Sequence, residues 1–264
     1  MDTIRVIKIG GNVIDDDATL KKFLKDFASV KGPKVLVHGG GKIATEISKG
    51  LGIAAQMVDG RRITDAETLR VVTMVYGGLI NKKIVSLLQS YGCNAMGLTG
   101  ADANVISADK RPLKNNIDYG FVGDVKSVNA ETLSVLLKAG ITPVMAPLTH
   151  DGNGNMLNTN ADTIASTVAV GISKLNPSEL IYCFELPGVM RDINDKDSVI
   201  NQIDGALYQQ LKEEGVVAKG MIPKMDNSFD AIKAGAESVT ICHADDLLAI
   251  LNLNERKGTK LVLK

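Results

Sequence analysis

Short apolar runs of strand length alternate along this chain with stretches whose apolar residues recur at helical spacing, and the first runs end in glycines. One N-terminal run closes as Ile7-Lys8-Ile9-Gly10-Gly11-Asn12, and Val35-Leu36-Val37-His38-Gly39-Gly40-Gly41-Lys42 repeats the design. Between them Leu20, Phe23, Leu24 and Phe27 share one face of a helix predicted over 18–30. Strand, glycines, helix, strand and glycines describe a β-α-β unit of a parallel sheet, where ligands gather at the carboxyl ends of the strands.

Farther on, a short helix is predicted over 43–51 and a long one from Asp65 toward Tyr91, with Thr64 as its cap and Glu67 in its first turn. Its apolar residues, among them Val71, Met74, Val75, Leu79 and Ile84, surround it, which predicts core on one side and a second subunit on the other. The polar stretch 100–125 ends in an alternation from Asp118 to Asp124 that suits a hairpin over a site. A helix over 131–138 should stop at Gly140, and Pro143 should weaken the strand over 141–146 as a central member of a sheet. Past Asn176-Pro177, a hinge between halves, follow a strand over 180–185, helices over 204–213 and 222–234, and a strand over 238–242. The expected fold is α/β, a mostly parallel central sheet with helices on both faces, in lobes 1–175 and 176–264.

Thirty basic and thirty acidic side chains among 264 residues cancel, so no net field attracts nucleic acid or an anionic membrane. No apolar stretch approaches the ~20 residues of a bilayer span, and the N-terminus enters a strand directly, so a soluble cytoplasmic protein is expected. Cys93, Cys183 and Cys242 lack C-x-x-C spacing and read as buried thiols. His38, His150 and His243 are scattered, which gives no support to a metal cluster or a hydrolase triad. His38, beside the glycines, reads as a polar side chain satisfied at a strand end.

Lys8 beside Gly10 and Gly11 has the makings of a phosphate site, an ammonium next to backbone that a ligand can approach closely. Leu157-Asn158-Thr159-Asn160-Ala161-Asp162 leads into an apolar helix with three oxygen-bearing side chains, more than a cap requires. Lys224 falls in the first turn of its helix, where a cation opposes the helix dipole; an anion held between the two would make both favourable. Lys42 is followed by Ile43 and not Ser or Thr, so there is no Walker A loop, and G-x-G-x-x-G and G-x-S-x-G are absent too.

Taken in order, I-K-I-G-G, V-H-G-G-G, D-G-R-R-I-T at Asp59 to Thr64, L-N-T-N-A-D at Leu157 to Asp162 and K-G-M-I-P-K at Lys219 to Lys224 resemble the amino acid kinase family over nearly the whole chain. The resemblance implies a three-layer sandwich and ATP-dependent phosphorylation of the side-chain carboxylate of N-acetylglutamate, or another N-acylglutamate, in arginine biosynthesis. It implies that Lys8 contacts the transferring phosphoryl group, Lys224 the leaving side, and Asp162 orients both. Gly10, Gly11, Gly40 and Gly41 would give close backbone approach, Arg62 would clamp the α-carboxylate beside Arg61, and Asn158 and Asn160 would hold the substrate. ATP would bring Mg2+ with it, with no protein metal ligand. A glutamate side chain of pKa about 4.3 is already an ionised nucleophile, so no general base is needed.

Cys183-Phe184-Glu185-Leu186-Pro187-Gly188-Val189 departs from the family, which has a small hydroxyl residue and Asp before its V-P-G turn. Glu185 and Gly188 are the candidates for the adenosine side. The chain begins just before its first strand, without the N-terminal helix of arginine-inhibited hexamers, so a homodimer is expected. A kinase for carrier-linked aminoadipate and a non-catalytic sensor are the rival readings. Lys8, Asp162 and Lys224 together argue against the sensor, and the sequence shows no basic cluster for a carrier. Lys110, Arg111 and Lys114 bear on whether the acyl group is acetyl or succinyl.

Overall fold

A computed structural model describes residues 2–54, 56–58, 61–113, 116–217, 221–253 and 255–263, together with the backbone but not the side chains of Arg61 and Lys196. Asp59, Gly60, Lys114, Lys219 and Gly220 of the segments above lie outside the described residues. The chain runs β1 (Ile4–Ile9), α1 (Gly11–Asp15), α2 (Asp17–Ser29), β2 (Lys34–His38), α3 (Gly41–Gly50), β3 (Met57–Val58) and β4 (Arg61–Arg62). Next come α4 (Ala66–Val72), a π-helical stretch (Thr73–Ile80) and α5 (Asn81–Ser90), continuous as one helix, then β5 (Ala95–Leu98), β6 (Ile106–Lys110), β7 (Gly123–Val128), α6 (Ala130–Lys138), β8 (Thr142–Met145), β9 (Leu148–His150) and β10 (Met156–Asn158). The rest comprises α7 (Ala161–Ser173), β11 (Ser178–Phe184), β12 (Gln202–Ile203), α8 (Gly205–Glu213), α9 (Ile222–Lys233), β13 (Ser238–His243), α10 (Leu247–Asn252) and β14 (Thr259–Leu261).

The central sheet has eight strands in the order β12-β14-β13-β11-β1-β2-β8-β5, parallel throughout except where β13 meets β14. β1 lies in its middle and is buried on both faces, so its apolar run is near continuous. Ile4 and Val6 pack with Ile164, Val168 and Phe229 of α7 and α9, while Ile7 and Ile9 pack with Phe23, Leu24 and Phe27 of α2. Three layers result, and Lys8 follows Ile4 and Val6 on the α7 side. A second sheet, β10-β9-β6-β7, stands beside the carboxyl ends of the central strands.

Four local expectations are corrected. Asp65, not Thr64, caps α4: its carboxylate accepts from the Thr68 N–H at 2.8 Å. Thr64 is fully buried instead, its N–H on Tyr119 O and its own carbonyl taking the Phe121 N–H. Only the end of 118–124 enters a hairpin: Gly123 and Asp124 of β7 pair antiparallel with Lys110 and Asp109 of β6, while Gly120 and Val122 make parallel bridges to Thr64 and Asn158. Gly120 has φ 70°, and a Cβ there would fall 2.2 Å from the Thr64 carbonyl oxygen, so this crossing requires glycine. Pro143 sits in an interior strand, between β2 and β5 in the sheet. It is tolerated because pairing with β2 begins only at Val144, one residue beyond the missing N–H. Finally, residues 66–90 form a helix long and apolar enough to cross a bilayer, 25 residues with hydropathy 1.3. Val71, Val72, Tyr76, Ile80, Ile84 and Leu88 carry its inner face into the core, as in a core helix of a folded domain.

Candidate active site

Three elements bring three charges together at the carboxyl end of β1. Lys8 reaches from the strand, and its ammonium lies 2.7 Å from Asp162 Oδ1 in the first turn of α7. Lys224, in the first turn of α9, approaches the other oxygen, Asp162 Oδ2, at 3.8 Å. Burial alone would push the Asp162 carboxyl up, but the Lys8 and Lys224 ammoniums outweigh it and hold the group below its ordinary range. Burial also pulls the Lys224 ammonium down to about 8, against the opposing pull of Asp162 and with Lys8 adding to the depression. Two cations share one anion, so the cluster keeps a net positive charge beside the N-terminus of α7.

The glycines do their part through backbone shape. Gly10 precedes α1 and Gly11 opens it; Gly40 precedes α3 and Gly41 opens it. Gly40 has φ 143°, and a Cβ there would fall 2.2 Å from Ile80 Cδ1 and 3.3 Å from Tyr76 Cδ1. The loop thus lies flat on the π-helical stretch, with no room for a side chain.

Arg62 comes from β4, and its Nη2 donates to Gly41 O at 3.1 Å and to Thr45 Oγ1 at 2.5 Å. Its Nη1 is buried with no hydrogen-bond partner among the described residues, a donor left for a ligand. Asn158 Nδ2 donates to Thr64 Oγ1 at 3.0 Å, which fixes the amide. Asn160 caps α7, its Oδ1 accepting from the Asp162 and Thr163 N–H groups, so capping already accounts for that oxygen. Glu185 is exposed but near enough to raise the Lys224 pKa. Gly188 is buried at φ 159°, where a Cβ would fall 2.7 Å from Thr259 Oγ1; its close packing against β14 is what the structure shows. Arg111 is engaged with Asp124, Nη2 to Oδ1 at 2.6 Å, and Lys110 lies 5.6 Å over the Phe121 ring.

His38 is fully buried, and desolvation pulls its pKa down to about 4. It is a neutral structural residue. All three cysteines are buried and free. Among the described residues no three His, Cys, Asp or Glu converge as a metal site. Sequence reasoning missed two groups. Asp15, at the end of α1, is a carboxyl with no hydrogen-bond partner among the described residues, 3.8 Å from the Lys42 ammonium, and burial raises its pKa. Phe184 stood out only as a departure, yet its ring touches both site lysines, 3.2 Å from the Lys224 ammonium and 5.4 Å from that of Lys8.

A family model described as "Amino acid kinase family" matches residues 3–243. The chain is 66% identical over 262 residues to a protein named acetylglutamate kinase from Cytophaga hutchinsonii, covering 99% of each chain. It is 56% identical to an acetylglutamate kinase from Bacteroides thetaiotaomicron, covering 98% of each. Among solved structures, the N-acetylglutamate synthase of Neisseria gonorrhoeae, complexed with coenzyme A and N-acetylglutamate, superposes with a TM-score of 0.85 at 20% identity, over 99% of this chain and 60% of that one. At that identity the likeness is one of fold.

Proposed function

The chain belongs to the amino acid kinase family, and from that premise we propose that it transfers the γ-phosphoryl group of ATP to the side-chain carboxylate of N-acetylglutamate, or another N-acylglutamate, as a step of arginine biosynthesis. The observation that carries the reading is the Lys8, Asp162 and Lys224 cluster, with its unbalanced positive charge beside the glycine backbone. Two anions must meet for this reaction, and charge moves onto the leaving phosphate; catalysis then consists of cations placed where that charge develops. Lys8 meets the transferring group and Lys224 the leaving side, while Asp162 aims both ammoniums. The acceptor carboxylate arrives ionised, so the absence of a base from the mechanism costs nothing.

Arg62 clamps the substrate α-carboxylate with its free Nη1, and Asn158 holds the acylated amino end. Gly10, Gly11, Gly40 and Gly41 let the ligands approach the main chain. Mg2+ belongs with the nucleotide phosphates, whose charge it neutralises; Asp162 is already paired with Lys8 and Lys224, which suits a metal held by phosphate and water. We assign acylglutamate to lobe 1–175 and nucleotide to lobe 176–264, with Glu185 and Gly188 on the adenosine side. Met74 and Leu79, both more than half exposed on the long helix, support a homodimer through that face, and the free Cys93, Cys183 and Cys242 suit the reducing cytoplasm.

The test is magnesium-ATP turnover with glutamate, N-acetylglutamate, N-succinylglutamate and N-acetylaminoadipate in parallel, with the acyl phosphate trapped by hydroxylamine and Lys8→Ala as control. Hydroxamate from one acylated glutamate, lost in the control, is the expected result and names the acyl group. ATP binding without hydroxamate from any of them would sink the assignment.

A further inference from the structure

Tyr182 and Phe184 stand two residues apart on β11, and their rings stack with centroids 5.9 Å apart and planes 13° from parallel. The Lys224 ammonium lies 3.2 Å from the Phe184 centroid and 5.7 Å from that of Tyr182, and the Lys8 ammonium 5.4 Å from Phe184. The platform is anchored, because Tyr182 is fully buried and its hydroxyl donates to the Asp162 carbonyl oxygen at 3.2 Å. One pair of rings therefore touches all three residues of the charge cluster.

Lys224 needs such a support. Asp162 carries one negative charge, and Lys8 holds it at 2.7 Å while Lys224 stands back at 3.8 Å. The two ammoniums repel each other, and helix α9 offers its own cation no help in the first turn. A second carboxylate would seat Lys224 more firmly, but it would cancel the positive charge that phosphoryl transfer requires. An aromatic face attracts a cation through its quadrupole and leaves the full charge in place.

We propose that Phe184, backed by Tyr182, is a positioning residue for phosphoryl transfer, seating the Lys224 ammonium beside Lys8 without neutralising it. The proposal rests on the transfer reaction above and adds to it a residue outside the family pattern. In the free enzyme the ring stabilises the charged form of Lys224, which is otherwise faced by Asp162, Lys8 and the more distant Glu185.

The experiment compares wild type, Phe184→Leu and Phe184→Trp, first checked for equal folding by thermal melting. Leucine keeps bulk but has no ring face, and it should lower kcat about tenfold with little change in the KM for acylglutamate. It should also move the alkaline limb of kcat/KM for ATP to lower pH, since the unseated ammonium loses its proton more easily. Tryptophan should keep both near wild type. Equal losses in the two variants, or none in Phe184→Leu, would overturn the proposal.

A second readout needs no turnover. The chain has no tryptophan, so Phe184→Trp installs its one indole, excited selectively at wavelengths its tyrosines do not absorb, and a protonated amine over an indole quenches it. Adding Lys224→Met to that variant should raise the emission. A rise, with no phosphoryl transfer by wild type to any acylglutamate, supports the seat and removes the reaction assigned to it. Unchanged emission in an enzyme whose wild type is active removes the seat alone.

Discussion

The imidazole of His38 accepts a hydrogen bond at Nε2 from Asn81 Nδ2, 3.1 Å away in the core, and this contact fixes its single proton on Nδ1. Nδ1 in turn donates to Gly39 O at 2.8 Å, and the Asn81 amide also reaches Val144 O at 2.9 Å. The end of β2, the glycine loop and β8 are thereby tied to α5 through one neutral ring.

Burial of that ring makes stability depend on acid, because desolvation disfavours the imidazolium more than the hydrogen bond to Gly39 favours it. With a folded pKa of about 4 below an unfolded value near 6.5, His38 contributes stability that is present above pH ~6.5 and is lost as pH falls toward 4. The full loss is on the order of 3 kcal/mol. Urea midpoints between pH 7 and 4 should fall accordingly, and His38→Gln should flatten the curve between those limits.

Asp162→Asn leaves Lys8 and Lys224 facing each other without a counter-charge. We expect kcat to fall roughly 100-fold, since both donors lose their aim. Affinity for a non-hydrolysable ATP analogue, measured by calorimetry, should hold or tighten, because the site becomes more positive. Weakened analogue binding together with unchanged kcat would contradict the role given to Asp162.

Arg62→Lys keeps the charge but removes the planar fork whose Nη2 is spent on Gly41 and Thr45 and whose Nη1 is free. The KM for acylglutamate should rise on the order of tenfold or more, while that for ATP stays put. A rise in both alike would place Arg62 elsewhere than on the acceptor.

Gly40→Ala forces a side chain into a left-handed backbone 2.2 Å from Ile80 Cδ1. The expected cost is about 2–4 kcal/mol of stability, with activity lost in parallel. Gly50→Ala is the contrast: it meets nothing within 4 Å at the end of α3 and should be neutral or stabilising by up to about 1 kcal/mol. Chemical denaturation of the two variants checks the difference.

Much of this was legible in the sequence because the signals were local. Apolar runs ending in glycine marked β1 and β2, and a lysine at odds with its helix dipole marked Lys224. What escaped was decided by partners distant in the chain. Thr64 has the composition of a cap, but its hydroxyl is taken by Asn158 from 94 positions on. Pro143 forbids a central strand only if its missing N–H faces a paired neighbour, and register decides that. The alternation from Asp118 to Asp124 has the right period, yet only its last two residues pair with β6, while Gly120 and Val122 bridge Thr64 and Asn158. Phe184 carries no sequence motif; its contacts exist because β11 lies beside β1 and α9 folds back over both.

Not all the positive charge at the site can be titrated. Helices α3 and α7 begin there, and their first peptide N–H groups carry a share worth about half a unit each. That portion belongs to the main chain, so neither alkali nor mutagenesis removes it, whereas the Lys224 proton leaves near pH 8. As the solution becomes basic the two shares separate in the empty site: the part fixed in the peptide dipoles stays while the part carried by Lys224 is lost, so the pocket keeps some pull on an anion without its full set of cations.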